Sequence, residues 1–338
     1  MEIYFGTYTR RTSKGIYKAS FDETTGKLSN LQLVAEEANP TYLAFAGDGN
    51  LYTVGAVGDE GGIASFSPDY HLINHVLEEG APLCYVSVDN ERQLVYGANF
   101  HKGQILSYKR QPDGGLELAD VIQHHGSGPH PNQQGPHAHF ADLTPDKYLV
   151  TCDLGCDQVL TYRVSDDGKL SLLDSYQSAA GAGPRHLVFH PSAKIAYLIC
   201  ELNATIEVLI YDGLGQFERM QTIATLPSDY TDFNATAAIR ISADGKFVYA
   251  SNRGHDSIAV YKTLADASLE LVEIVPTNGK TPRDFTLSPS NSHLIVAHQD
   301  SDGVTVFARN AETGKLTEIS HDFQVPEAVC TSFKPISF

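Results

Sequence analysis

The sequence predicts an all-β fold, a seven-bladed β-propeller whose last blade is closed by strands from both chain ends. Three observations predict it. A strand-rich unit recurs about every 42–54 residues along the 338-residue chain. The composition, with 17 Tyr and 15 Phe, favours strands over helices. The N-terminal unit also lacks its innermost strand, and the C-terminal unit supplies only that strand.

Each unit begins with a small or proline residue that leads into an apolar strand. The units start at Pro40, Pro82, Pro136, Pro184, Asn234, Pro282 and Pro326. A polar turn, a second strand such as residues 247–250 and an alternating third strand such as residues 257–261 follow. A fourth element, as at residues 314–319, completes a four-stranded unit.

Six units are nearly complete, but the unit that starts at Pro326 stops at the chain end. The N-terminal segment supplies strands at residues 3–7 and 15–19 without an innermost strand before them. Joining the two fragments gives seven blades and removes two exposed sheet edges. Residues 1–338 are therefore predicted to form a single propeller domain. An open solenoid or two β-sandwiches would leave the fragmentation unexplained.

Charge and hydropathy narrow the class of partner. The net charge of −17 argues against nucleic acid or an anionic membrane surface. No apolar run reaches the length of a membrane-spanning helix, and the opening MEIYFGTYTRR lacks the pattern of a signal peptide. A cytoplasmic location is therefore expected. The five cysteines lie mostly in apolar runs, so buried thiols are predicted, including Cys152 and Cys156.

A Gly/Pro-rich loop in the third complete unit carries three histidines, His130, His137 and His139. Long loops on a rigid scaffold often bind ligands. On a strand, residues two apart share a face, so His137 and His139 could bind a divalent metal with a third ligand. One of them could instead orient water or be structural. No cofactor is expected, and a metal at this pair remains open.

Arginines recur near the unit starts. Arg185 begins an innermost strand, and Glu201 would lie beside it if the hairpin pairs in register. Arg253 and Arg283 are expected to face the same channel mouth. A buried Arg–Glu pair alone could be structural, but three arginines in an acidic protein indicate a site for an anion.

Several motifs together resemble the propeller-type lactonase family, which includes 6-phosphogluconolactonases and carboxymuconate cyclases. They are GTYT, QQGPHAH, GPRHLVFHP, CELNATIEV, SNRGHDSIAVY and Pro-Arg-Asp-Phe, and they extend from Tyr4 to about Phe333. The resemblance implies a channel site with a His, two Arg and a Glu, which here are His137, Arg185, Glu201 and Arg253. Further contributors are expected at His139, His186, Asn203 and Arg283.

Hydrolysis of a sugar lactone, foremost 6-phospho-D-glucono-1,5-lactone, is the activity that this resemblance implies, with a small anionic lactone as the ligand. In that scheme Glu201 or His137 is the general base, and arginines bind the oxyanion and the phosphate. A Gly-x-Ser-x-Gly nucleophile motif is absent from the sequence, which favours direct attack by water. Cyclisation of a carboxylated muconate and a non-enzymatic binding platform are the alternatives.

Overall fold

The computed structural model describes residues 1–334, and every regular element in that range is a β-strand. The 28 strands form seven four-stranded antiparallel sheets, which are the blades of a propeller. The prediction of an all-β seven-bladed propeller is therefore confirmed. Blade 1 has the strand order β28-β1-β2-β3, and each later blade uses four consecutive strands, from β4–β7 in blade 2 to β24–β27 in blade 7.

The strands have the following bounds. Blades 1 and 2 contain β1 (Glu2–Thr7), β2 (Gly15–Asp22), β3 (Lys27–Glu36), β4 (Leu43–Phe45), β5 (Leu51–Val57), β6 (Glu60–Phe66) and β7 (Leu72–Glu79). Blades 3 and 4 contain β8 (Tyr85–Asp89), β9 (Leu94–Asn99), β10 (Gln104–Arg110), β11 (Leu116–Gln123), β12 (Ala138–Leu143), β13 (Leu149–Asp153), β14 (Gln158–Val164) and β15 (Leu170–Gln177). Blades 5 and 6 contain β16 (Pro184–Phe189), β17 (Ile195–Cys200), β18 (Thr205–Tyr211), β19 (Phe217–Ala224), β20 (Ala235–Ile241), β21 (Phe247–Arg253), β22 (Ser257–Thr263) and β23 (Leu269–Pro276). Blade 7 contains β24 (Pro282–Leu287), β25 (His293–His298), β26 (Gly303–Arg309) and β27 (Leu316–Gln324), and β28 (Ala328–Phe333) returns to blade 1.

Blade 1 joins the two chain ends as predicted. Strand β28 pairs antiparallel with β1, with Ile3 opposite Phe333 and Thr7 opposite Ala328. The chain therefore closes the ring through backbone hydrogen bonds between its first and last strands.

The apolar core lies between the blades, because each sheet packs its faces on the two neighbouring sheets. One cluster joins Tyr52 and Val54 of blade 2 to Val95 and Leu106 of blade 3. Tyr52 also donates its hydroxyl to the Gly114 carbonyl in the outer hairpin of blade 3, at 3.0 Å. Tyr197 of blade 5 and Tyr249 of blade 6 make equivalent hydrogen bonds, each to a backbone carbonyl in the outer hairpin of the following blade. Second-strand tyrosines thus both fill the core and tie adjacent blades together.

The cysteines agree with the sequence-based expectation of buried thiols. All five thiols are free, and Cys152 and Cys156 are buried. Within residues 1–334 no helix is long and apolar enough to cross a membrane.

Candidate active site

A β-bulge that recurs at the start of the innermost strands determines which side chains face the central channel. Register shifts mark the start of the innermost strand in blades 1, 4, 5, 6 and 7, where one extra residue bulges from the ladder. The residues at this position and its equivalents in blades 2 and 3 are Thr41, Cys84, His139, Arg185, Ala237, Arg283 and Val329. A bulge re-aims its side chain, so the propeller presents one residue per blade to the top of its central channel.

A cavity of about 340 Å³ opens at this mouth, within the usual range for small-molecule sites. It is lined by Tyr8, Arg10, Asn39, Thr41, Pro82, Leu83, Cys84, Phe100, His101, His139, Glu201, Arg253 and Arg283. Arg185 adjoins it from a smaller cavity shared with His139 and Arg283. The structure thus brings together most of the residues that the sequence singled out.

Glu201 lies at the centre of the charged group. Its Oε2 is 2.9 Å from Arg185 Nε and 2.7 Å from Arg253 Nη2. Both contacts are ion pairs, and the Arg185 Nε has no hydrogen-bond partner among residues 1–334. The expected proximity of Arg185 and Glu201 is therefore confirmed, and Arg253 joins the same carboxylate.

Backbone contacts fix these side chains. Arg185 Nη1 donates to the Ala237 carbonyl at 2.6 Å, and Arg253 donates to the carbonyls of Ala235 and Thr236. The Glu201 N–H donates to the Gly183 carbonyl at 2.7 Å. Gly183 has φ +69°, and a Cβ there would lie 2.6 Å from a Leu202 side-chain carbon, so glycine is required.

Electrostatics keep the group ionised. Burial alone would raise the pKa of Glu201, but Arg253, Arg185 and Arg283 outweigh it, so this pKa lies below its ordinary value. Burial and the charge of Arg253 lower the pKa of Arg185 to about 9. Burial likewise lowers the pKa of Arg253. At neutral pH the site therefore holds one carboxylate and several guanidinium groups.

Of the three site arginines, Arg283 makes the fewest contacts through its guanidinium group. Its Nη1 makes only a long contact of 3.5 Å to Gln299, and its Cζ lies 5.8 Å from the centre of the Tyr8 ring. Arg10, which is exposed, stacks over the same Tyr8 ring at 3.8 Å. Tyr8 thus contacts two cations that form no ion pair with a carboxylate of the cavity lining.

His139 and His186 are buried, with 5% and 3% of their surface exposed, and their ring centroids are 5.1 Å apart. Burial and the Arg185 charge lower the pKa of both imidazoles well below the ordinary value, so both are neutral at pH 7. His139 lines the cavity, and its Nδ1 has no hydrogen-bond partner within residues 1–334. The His139 ring thus borders the cavity, while its unpaired Nδ1 is enclosed by protein.

His186 belongs to an aromatic layer beneath the cavity. Tyr42, Tyr85 and Phe140 complete this layer, with Tyr42 and Tyr85 ring centroids 4.2 Å apart. The same four side chains line a second cavity of about 400 Å³, which also contains Arg240 and Asp142. The aromatic layer thus separates the candidate site from the opposite end of the channel.

His137 differs from the expectation of a shared strand face with His139. It precedes β12, and His139 is the bulged residue of that strand. The His137 ring stacks on Phe100 at 4.4 Å and bonds the Phe100 carbonyl through Nδ1, whereas His139 meets the edge of Phe100. The bulge removes the alternation on which the paired-histidine expectation rested.

In the part of the chain that the structure describes, the side chains near His137 and His139 do not form a recognisable metal site. Residues 1–334 contain no group of three or more His, Cys, Asp or Glu side chains arranged to hold a metal ion. The two histidines of the proposed pair instead contact different parts of the Phe100 ring.

Asn203 lies outside the cavity lining. It is exposed, and its Oδ1 accepts a hydrogen bond from Thr205 Oγ1 at 2.7 Å, in the turn before β18. The geometry gives this residue a role in the turn and no contact with the cavity.

Tyr8, Arg10, Thr41 and Cys84 were missed by the sequence reasoning. Thr41 and Cys84 hold the same repeat position as Arg185, so an alignment of unit starts contained the signal for them. Burial raises the pKa of the Cys84 thiol to about 12, so it stays protonated and is a poor nucleophile. Tyr8 and Arg10 follow β1 and belong to no such repeat position.

Comparisons with known proteins agree with this architecture. A family model described as "Lactonase, 7-bladed beta-propeller" matches residues 2–333. The 6-phosphogluconolactonase of Bacillus subtilis is 39% identical over 340 residues, covering 98% of this chain and 97% of that protein. A crystal structure from Lactobacillus plantarum has a TM-score of 0.96 at 46% identity, covering 98% of both chains. The periplasmic gluconolactonase of Pseudomonas aeruginosa has a TM-score of 0.91 at 29% identity, covering 99% of both chains. The chain therefore belongs to the seven-bladed β-propeller lactonase family.

Proposed function

We propose that this protein hydrolyses 6-phospho-D-glucono-1,5-lactone to 6-phosphogluconate. The observation that carries the proposal is the convergence of Arg185, Arg253 and Arg283 with the single carboxylate of Glu201 at one cavity. In a chain of net charge −17, such a cationic site selects a small anion. A lactone that carries a phosphate supplies both that anion and an electrophilic carbonyl.

Glu201 acts as the general base in this proposal. Its carboxylate accepts a proton from water as the water oxygen attacks the lactone carbonyl carbon, and Arg253 and Arg185 stabilise the oxyanion. When the ring C–O bond breaks, the protonated Glu201 returns its proton to the leaving oxygen. The two arginines make Glu201 a weak base, which suits an ester as electrophilic as a δ-lactone.

Arg283 and Arg10 are assigned to the phosphate. Both guanidinium groups lie at the cavity and leave most of their donors free. Arginine binds phosphate through two parallel N–H donors, which suits these planar groups. Tyr8, whose ring both arginines approach, would fix their orientation.

The direct test is turnover of freshly generated 6-phosphogluconolactone by the wild-type protein, with spontaneous hydrolysis subtracted and with EDTA in a parallel assay. We expect saturable turnover that persists in EDTA. No turnover above the spontaneous rate would overturn this substrate and bring carboxymuconates and protein partners forward.

Substitution Arg283→Ala separates phosphate binding from chemistry. We expect KM for the phosphorylated lactone to rise about 10- to 100-fold, the loss of one charge-assisted contact of about 1.5–3 kcal/mol. Unphosphorylated glucono-1,5-lactone is the internal control, and its kcat/KM should change less than about threefold. An equal loss for both lactones would contradict the assignment of Arg283 to the phosphate.

The pH profile reports the general base. Because the pKa of Glu201 is lowered by its arginines, the base stays ionised above its ordinary value of 4.5 and is lost only as pH falls through the lowered pKa. The phosphate of the phosphorylated lactone has a second pKa of about 6, so the profile is measured with glucono-1,5-lactone. We expect kcat/KM for this substrate to be flat from pH 7.5 down to pH 5.5, and a fall within that range would contradict the assignment of Glu201 as the base.

A further inference from the structure

In blades 3 to 7 the residue just before the third strand is in the left-handed conformation. In blades 4, 6 and 7 this residue is an aspartate, with φ of 55° at Asp157, 53° at Asp256 and 57° at Asp302. Its side chain accepts hydrogen bonds from backbone N–H groups just before the innermost strand of the next blade. These aspartates therefore connect one blade to the segment that leads into the next bulge.

Asp157 holds the segment that leads to Arg185. Its Oδ1 accepts from the Gly183 N–H at 2.8 Å, and its Oδ2 accepts from the Gly181 N–H at 2.7 Å. Gln133 donates to the same Oδ1 at 2.6 Å. Asp157 is 1% exposed and does not line the cavity, so it acts on Arg185 only through this backbone.

Asp256 holds two arginine-bearing segments at once. Its Oδ1 accepts from the Thr281 N–H at 2.9 Å, two residues before Arg283. The same oxygen accepts from the Gly254 N–H at 3.1 Å, next to Arg253. One carboxylate oxygen thus fixes the backbone beside both guanidinium groups.

Asp157 and Asp256 occur where the bulged residue of the next blade is an arginine. Both arginine bulges are preceded by an aspartate contact, whereas the equivalent turn in blade 5 has Ala204 and leads to the bulge at Ala237. Asp302 is the exception, since its target Glu327 leads to Val329.

We propose that Asp157 and Asp256 are positioning residues that set the guanidinium groups of the active site through the backbone. The proposal rests on the proposed lactonase function for its kinetic consequences, but its geometric content stands apart from the substrate. A misplacement of about 1 Å at a catalytic group costs about 100-fold in rate, so such contacts have a measurable effect.

The test uses Asp157→Asn, which turns one of the two acceptor oxygens into a donor, and Asp256→Ala, which removes the single oxygen that accepts from Thr281 and Gly254. Alanine holds the equivalent left-handed position in blade 5, at Ala204. The control is Asp89→Asn. Asp89 is also 1% exposed and accepts two backbone N–H groups, of Glu91 and Arg92, but at the end of β8 away from the cavity. Asp256 is partly exposed whereas Asp157 and Asp89 are buried, so the thermal midpoint of each variant is measured beside its kinetics.

The kinetic readout distinguishes positioning from general destabilisation. We expect Asp157→Asn to lower kcat about 10- to 100-fold with KM nearly unchanged, because Arg185 serves the oxyanion. Asp256→Ala should lower kcat and also raise KM for the phosphorylated lactone, because it releases the backbone beside both Arg253 and Arg283. Asp89→Asn should keep kcat and KM within about threefold of wild type. Equal kinetics in all three variants would overturn the proposal.

Crystal structures of wild type and the variants decide the geometric claim without any substrate. We expect the guanidinium of Arg185 to shift by about 1 Å in Asp157→Asn, and those of Arg253 and Arg283 to shift in Asp256→Ala. Unmoved guanidinium groups would overturn the proposal whatever the activity. Displaced groups in a protein that has no lactone turnover would support it while refuting the proposed function.

Discussion

Replacing Glu201 by Gln is expected to lower kcat for 6-phosphogluconolactone by at least about 100-fold, with little change in KM. General-base catalysis contributes about 100- to 10,000-fold, and glutamine keeps the shape of the side chain but cannot take the proton from water. The measurement is steady-state hydrolysis at pH 6.5, where the spontaneous reaction is slow, with circular dichroism to verify folding.

The matched control for this variant is Glu207→Gln. Glu207 is a fully buried carboxylate of the same blade that pairs with Arg219 at 3.2 Å and accepts from Tyr176, away from the cavity. Its replacement breaks the contact of a buried carboxylate with the half-exposed Arg219, so it reports the stability cost alone. If Glu207→Gln lost as much activity as Glu201→Gln, the role of Glu201 as a base would be refuted.

Replacing Arg253 by Met should lower kcat/KM by about 100- to 1,000-fold, the effect of losing one oxyanion donor. Arg253→Lys should recover little of it, because an ammonium group lacks the planar donors that reach Glu201 and two backbone carbonyls together. Lactone kinetics of both variants provide the measurement.

Arg92→Met is the control for Arg253. Arg92 is similarly buried, with 20% of its side chain exposed against 13%, and it pairs with Asp89 at 2.9 Å outside the cavity. We expect full activity from this variant. A lysine at position 253 that restored wild-type kcat would show that charge alone suffices and that donor geometry is unimportant.

The blades could be predicted from the sequence because each strand type repeats with its own pattern. Pro184 and Pro282 start units in the same way, and the alternation at residues 257–261 identifies a third strand without knowledge of the fold. The closure of blade 1 followed from the fragment that starts at Pro326, because an unpaired edge strand is unfavourable. Hydrophobic periodicity is a property of many residues and tolerates local exceptions.

The site was harder to predict because single residues decide it. The sequence placed His137 and His139 on a regular strand, but the bulge at His139 gives the two rings different environments. Asn203 follows Glu201 by two residues in the same motif, but its side chain accepts a hydrogen bond from Thr205 in the turn before β18. Strand register and bulges are set by contacts between blades, which a local pattern does not contain.

The pairing of β1 with β28 has a consequence for the newly made chain. Synthesis proceeds at about 5–20 residues per second, so roughly 15 to 70 s separate the appearance of the first strand from that of its partner. Throughout this interval β1 presents an open edge, the kind of template on which other chains aggregate. This edge of β1 is therefore covered only once β28 has been made and has docked, which makes blade 1 the last blade to close.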